Sequence, residues 1–215
     1  MRLRVKEPFS AYSHLLGVIL AIPGLIWLIL QSNGELFRTV GFSIYGMSLV
    51  LLYSASTLYH WLPLSPRRED LLRRFDHVAI YVLIAGSYTP VCLVTLRGGW
   101  GWSLFGTVWG LAVVGAVTKL FFRHLPRWTT AGLYLGMGWL AVVAVVPLVR
   151  AVPPADLAWL AAGGAFYTIG AVVYGAKRPD PLPNVFGFHD IFHLFVLAGS
   201  GAHFVFMLRC VLPFA

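Results

Sequence analysis

Two imidazoles stand one helical turn apart in HDIFH, at the mouth of the last apolar run of the chain. At i and i+4 on one helix face, the neutral rings of His189 and His193 can both reach a single metal ion, at Zn–N distances of ~2.0–2.1 Å. Two other apolar segments carry polar groups in a similar way. SASTLYHWLP places Ser56 and His60 on one face, a turn apart, and RRFDHVAIYVLIAGSYTP brings in Asp76 and His77. A lone histidine in such a place is usually a hydrogen-bonded or snorkelling side chain. Three histidines with a carboxylate are a His-rich metal site with room for water, provided that the fold brings them to one depth.

The elements that must position these groups are apolar helices. Of the 215 residues 59% are hydrophobic and 11% charged, with a mean hydropathy of +0.78; ordinary globular chains are about a quarter charged. Seven runs, roughly 13–31, 40–62, 75–96, 101–122, 129–149, 155–176 and 186–210, approach the ~20 residues that cross a hydrocarbon core of about 30 Å. QSNGE, LPLSPRRED, RGG, RHLPR, VPP and KRPDPLPN separate them with breakers and charges. A lone strand would leave its backbone unsatisfied in lipid, so the spans are predicted as helices. The loops are short, and residues 1–215 are predicted as one all-α, seven-transmembrane-helix domain integral to the membrane. The basic MRLRVKEPFSAYSH leads into a full-length run without a small-residue cleavage site, which predicts a retained first helix rather than a signal peptide.

Lysine and arginine set the orientation. With the N-terminus cytoplasmic, Arg2, Arg4, Lys6, Arg67, Arg68, Arg73, Arg74, Lys119, Arg123, Arg127, Lys177 and Arg178 lie inside, and only Arg38, Arg97, Arg150 and Arg209 outside. That split of 12 against 4 predicts a cytoplasmic N-terminus and an external C-terminus. The net charge of +8 is spread over these short clusters, which is a topology pattern and not a nucleic-acid footprint. In this layout the second helix ends, the third begins and the seventh enters on the cytoplasmic side. Ser56, His60, Asp76, His189 and His193 then share one depth, with Asp76 and His77 in the first turn of the third span. His77 points about 100° from Asp76, Asp190 is off the His189/His193 face, and His14 is expected to be an interfacial polar residue. His203 lies roughly 15 Å along the last helix from His193, and His124 is in a basic loop; neither is expected to be a ligand. Cys92 and Cys210 lack metal or disulfide spacing and are expected to be small buried hydrophobes. Gly106/Gly110 and Gly132/Gly136 have small-x-x-x-small spacing, for which close packing within the bundle is expected ahead of dimerisation.

Ser56-x-x-x-His60, FDHVAIYVLIAGSYTP from Phe75 and HDIFHLFVLAGSGAHF from His189, in this order across seven spans, resemble the haemolysin III proteins. These are the bacterial branch of the progestin and adipoQ receptor (adiponectin receptor-like) family, and the resemblance covers nearly the whole chain. It implies zinc held by His60, His189 and His193, an aspartate at Asp76 that contacts the water on the zinc, and the family serine at Ser56. It also implies kinship with alkaline ceramidases, which share the serine, aspartate and three histidines and hydrolyse lipid amides. The large N-terminal cytoplasmic region and ligand-facing exterior that carry receptor function are not expected from this sequence, so the resemblance is not taken to imply hormone-receptor activity.

Two functions stay open at this point. One is a zinc-dependent hydrolase of a lipid amide or ester, in which Asp76 orients and deprotonates water and Ser56 donates to the developing oxyanion. The other is a non-catalytic sensor or regulator of lipid homeostasis with structural zinc. A secreted pore-forming cytolysin fits badly, since no signal peptide is expected. The expected cofactor is Zn2+, although His-rich sites also accept nickel, iron or manganese. The expected partner is a membrane lipid, and the expected location is the bacterial cytoplasmic membrane.

Overall fold

The computed structural model describes residues 5–121, 126–182 and 185–213, without the side chain of Arg127. Arg2, Arg4, Arg123 and His124 lie outside the described residues. Among the described residues, seven helices are long and apolar enough to cross a membrane: helix 1 Pro8–Gln31, helix 2 Leu36–Trp61, helix 3 Pro66–Thr95, helix 4 Gly99–Phe121, helix 5 Trp128–Ala151, helix 6 Pro154–Ala176 and helix 7 Phe188–Val211. Consecutive helices pack side by side, and helix 1 meets helix 7, so the bundle closes on itself. Helix 3 lies at its centre: 67% of its apolar stretch is buried, against 17–22% for helices 4, 5 and 6.

Local sequence explains most of the boundaries. Helices 1, 3 and 6 start with proline in the first turn, where the missing N–H costs nothing. The turn from helix 1 to helix 2 passes through Asn33 and Gly34, both at positive φ, which these residue types tolerate. Glu35 then caps helix 2 by accepting the Arg38 backbone N–H at 2.7 Å. In helix 7 the Asp190 carboxylate accepts the Gly187 N–H at 3.0 Å. At the end of helix 4, Arg74 donates to the Leu120 carbonyl at 2.7 Å, satisfying an otherwise orphaned acceptor.

The third boundary differs from the hydropathy reading. Helix 3 starts at Pro66, not Phe75, because the charged PRREDLLRRF is helical and runs ahead of the apolar stretch. Asp76 therefore lies well inside the helix and not in its first turn. Asp70 holds both Arg73 and Arg74 across this stretch, at 2.8 and 2.6 Å.

Helix 5 is not continuous α-helix. Arg127–Gly138 is α-helical, Trp139–Ala144 tightens to 3-10 geometry, and Val145–Ala151 resumes the α-helix. Freed backbone groups are costly in lipid unless a neighbour takes them up. Tyr88 of helix 3 does so: its hydroxyl donates to the Gly138 carbonyl at 2.6 Å and accepts the Ala141 N–H at 2.8 Å.

The paired glycines overturn a second expectation. A Cβ on Gly106, Gly110, Gly132 or Gly136 would meet open space, so these stripes face away from the bundle. Close helix packing uses other glycines. Gly17 lies against the Tyr53 ring and Gly41 against the Pro90 backbone. Cys92 and Cys210 are buried free thiols, as expected.

Candidate metal centre

His60 closes helix 2, and His189 and His193 occupy the first two turns of helix 7. His60 is 1% exposed and His193 2%. The His189 Nε2 lies 3.4 Å from His60 Nε2 and 3.2 Å from His193 Nε2. Two imidazole nitrogens bound at ~2.0–2.1 Å to one tetrahedral ion stand about 3.3–3.4 Å apart, so the trio has the spacing that a single ion requires. Among the described residues it is the one group of three or more His, Cys, Asp or Glu whose ligating atoms close to within 4.8 Å of one another. The three histidines can hold one metal ion.

Asp76 and Ser56 stand beside the trio and outside that ligand group. The Asp76 carboxylate accepts from the buried Ser56 hydroxyl and lies within electrostatic range of His60. His77 turns back on its own helix: its Nδ1 donates to the Arg73 carbonyl at 2.6 Å and stays 3.7 Å from Asp76. Tyr134 of helix 5 closes this flank by donating to the His77 carbonyl at 2.9 Å. His203 packs on Tyr167 and faces the Leu160 carbonyl, away from the centre.

Helix 1 contributes more than the sequence reading allowed. His14 is not interfacial but 3% exposed, stacked on the His193 ring at 3.7 Å with an interplanar angle of 15°. Its edge-to-face neighbour is Tyr53, at 5.1 Å, and neither His14 nitrogen has a hydrogen-bond partner among the described residues. Ser13 Oγ lies 3.5 Å from His193 Nδ1, and Ser10 donates to Asp190 at 2.7 Å. Glu7, just ahead of helix 1, meets His60 Nδ1 with its carboxylate. Burial raises the Glu7 pKa, but the hydrogen bond it accepts from His60, together with the neighbouring Lys6 ammonium, outweighs it and holds the carboxyl below its ordinary range. Glu7, Ser10 and His14 fall at i, i+3 and i+7, one helix face. That spacing was there to be read, but it precedes or only grazes the hydropathy window.

A seven-helix membrane bundle that gathers three histidines on one point, with a serine and an aspartate beside them, is an integral membrane protein with a candidate metal centre. The profile of the haemolysin-III-related family matches residues 3–204, and the chain belongs to that family. It is 43% identical over 215 residues to Hemolysin-3 of Bacillus cereus, across 98% of this chain and 94% of that one. It is 41% identical over 213 residues to the Hemolysin-3 homolog of Bacillus subtilis (strain 168), across 97% of each. A weaker likeness, 26% over 199 residues, 91% of this chain and 80% of the other, connects it to the human Monocyte to macrophage differentiation factor. The resemblance carried by the three motifs, including the adiponectin receptor-like branch, is borne out.

Proposed function

We propose that this protein is a zinc-dependent hydrolase of a lipid amide or ester, acting within the membrane near its cytoplasmic face. The observation that carries the reading is the convergence of three imidazole nitrogens at metal-ligand spacing beside a buried serine and an aspartate. His60, His189 and His193 would hold a zinc ion, which when bound would supply Lewis acidity and lower the pKa of water from 15.7 toward ~7. Asp76 orients the attacking water through one carboxylate oxygen and accepts its proton. Ser56 donates its Oγ–H to the substrate oxygen on which negative charge develops; removing one such donor typically costs about 10²–10³ in rate. His14, flat against His193, fixes the plane of that ligand ring. Substrate enters sideways from the bilayer, which accounts for a hydrolytic site built among membrane helices. We place the N-terminus in the cytoplasm, the C-terminus outside and the protein in a bacterial cytoplasmic membrane; reporter fusions after helices 2, 4 and 6 should score cytoplasmic and a C-terminal fusion external.

The test combines elemental analysis with turnover. Purified protein should carry about one zinc per chain, and His60→Ala, His189→Ala and His193→Ala should each lose most of it while His203→Ala keeps it. Equal loss in all four variants would mean destabilisation and would sink the ligand assignment. The zinc-loaded protein should hydrolyse members of a panel of lipid amides and esters. Full zinc loading with no turnover across a broad panel would transfer the function to a non-catalytic sensor of lipid state with structural zinc.

A further inference from the structure

We infer that Glu7 is a positioning residue of the metal centre, holding His60 in the tautomer and orientation that present its Nε2 to the ion. The inference rests on the metal-binding reading of the histidine trio. A carboxylate can only accept, so the contact between Glu7 Oε2 and His60 Nδ1 places the ring proton on Nδ1 and leaves the Nε2 lone pair directed at His189 and His193. The asymmetry of exposure shows which partner the contact serves. The Glu7 side chain is 47% exposed and has water available, whereas that of His60 is 1% exposed and meets Glu7 at its outward nitrogen.

The backbone around Glu7 is held as a strap. The Glu7 N–H donates to the His60 carbonyl at 3.0 Å and the Lys6 N–H to the Trp61 carbonyl at 3.3 Å. These are end-of-helix carbonyls without intrahelical partners, so the strap caps helix 2 beside its own ligand. Lys6 reaches Glu69 of helix 3 at 3.1 Å and lies 3.9 Å from the centre of the Tyr59 ring. Ser10 ties the following turn to Asp190 of helix 7 at 2.7 Å. Residues 6–10 thus bridge the three helices that carry Ser56 and His60, Asp76, and His189 and His193. A metal-bound histidine that donates its second ring N–H to a carboxylate gains basicity and a fixed orientation, and loss of such a partner typically weakens metal binding about 10–100-fold.

The experiment uses the full chain in detergent, titrated with Zn2+ against a competing chelator and, separately, with Co2+ read by its visible ligand-field absorption. Glu7→Ala should weaken Zn2+ binding by about 10–100-fold. Glu7→Gln keeps an acceptor but not the charge, and should fall between wild type and alanine with a shifted Co2+ spectrum. Glu69→Ala severs the contact from Lys6 to Glu69 without touching His60 and should keep wild-type affinity and spectrum. Wild-type affinity and an unchanged Co2+ spectrum in both Glu7 variants would overturn the inference and leave the histidine trio standing. The positioning role is equally overturned if only Glu7→Ala loses affinity, together with thermal stability, while Glu7→Gln matches wild type in both readouts. Metal binding that survives His60→Ala and His189→Ala would remove the centre itself, and the role of Glu7 with it.

Discussion

Helices 2, 3 and 7 differ from helices 4, 5 and 6 in what their apolar surfaces face. In the first set 39–67% of the apolar stretch is buried; in the second, 17–22%. Every proposed ligand and catalytic side chain lies on the first set, where polar groups meet other polar groups: Ser56 beside Asp76, His60 against Glu7, His189 between His60 and His193. The second set presents valine, leucine and tryptophan outward, including Val113, Val114, Trp139 and Val143. Its one break in regular helix is repaired from the other set, by Tyr88. The proposed ligand and catalytic side chains are therefore confined to the three more buried helices, while helices 4, 5 and 6 present apolar surface outward.

The largest effect that tests this division is on the aspartate. Asp76→Asn is nearly isosteric and leaves the histidine trio intact, so zinc should be retained at about one per chain. The amide cannot accept a proton from the attacking water, and turnover should fall by the ~10²–10⁴ that general-base catalysis contributes. Zinc lost in this variant would make Asp76 a ligand and remove it as the base. Zinc retained with unchanged turnover would take the role of base away from Asp76.

A smaller effect, on stability alone, is expected where the two groups meet. Tyr88→Phe keeps the ring but leaves the Ala141 N–H and the Gly138 carbonyl without the hydroxyl that joins them. An unsatisfied group of this kind costs about 1–3 kcal/mol, to be read as a lower melting temperature in detergent with zinc content unchanged. If zinc is lost in parallel, the break in helix 5 is coupled to the metal centre and the separation of roles is wrong.

Legibility in the sequence followed the same division. Hydropathy located all seven helices because span length is a property of the chain alone. HDIFH, His60 and Asp76 were readable as a site because imidazole spacing and span direction together define a depth. The start of helix 3 at Pro66 was hidden by the charges of PRREDLLRRF, which resemble a loop to any hydropathy window although Ser65, Pro66 and Glu69 are helix-start residues. The break at Trp139–Ala144 depends on a hydroxyl from another helix, so no local pattern announces it. Glu7 and His14 share a helix face that was readable, but the rings they meet are distant in sequence, so their place at the centre follows only from the fold.

Glycine substitutions give the smallest effect, and its sign differs between Gly17 of helix 1, which packs on helix 2, and the outward glycines of helices 4 and 5. In lipid both faces of a helix are apolar, so small-x-x-x-small spacing cannot say whether a stripe faces the bundle or the bilayer. At Gly17 a Cβ would fall 2.5 Å from the Tyr53 ring, which itself packs on His14. Gly17→Ala should therefore destabilise by the ~1–3 kcal/mol typical of overpacking, and it should disturb zinc binding through His14 and His193. At Gly106, Gly110, Gly132 and Gly136 a Cβ meets nothing within 4 Å. Alanine there removes the entropic penalty of glycine in a helix and should stabilise by roughly 0.5–1 kcal/mol, with zinc content unchanged. Thermal denaturation in detergent, with elemental analysis alongside, separates the two outcomes. A loss of stability at any of the four outward positions, accompanied by a change in molecular mass by light scattering, would show that this face is packed against a second chain and does not face lipid alone.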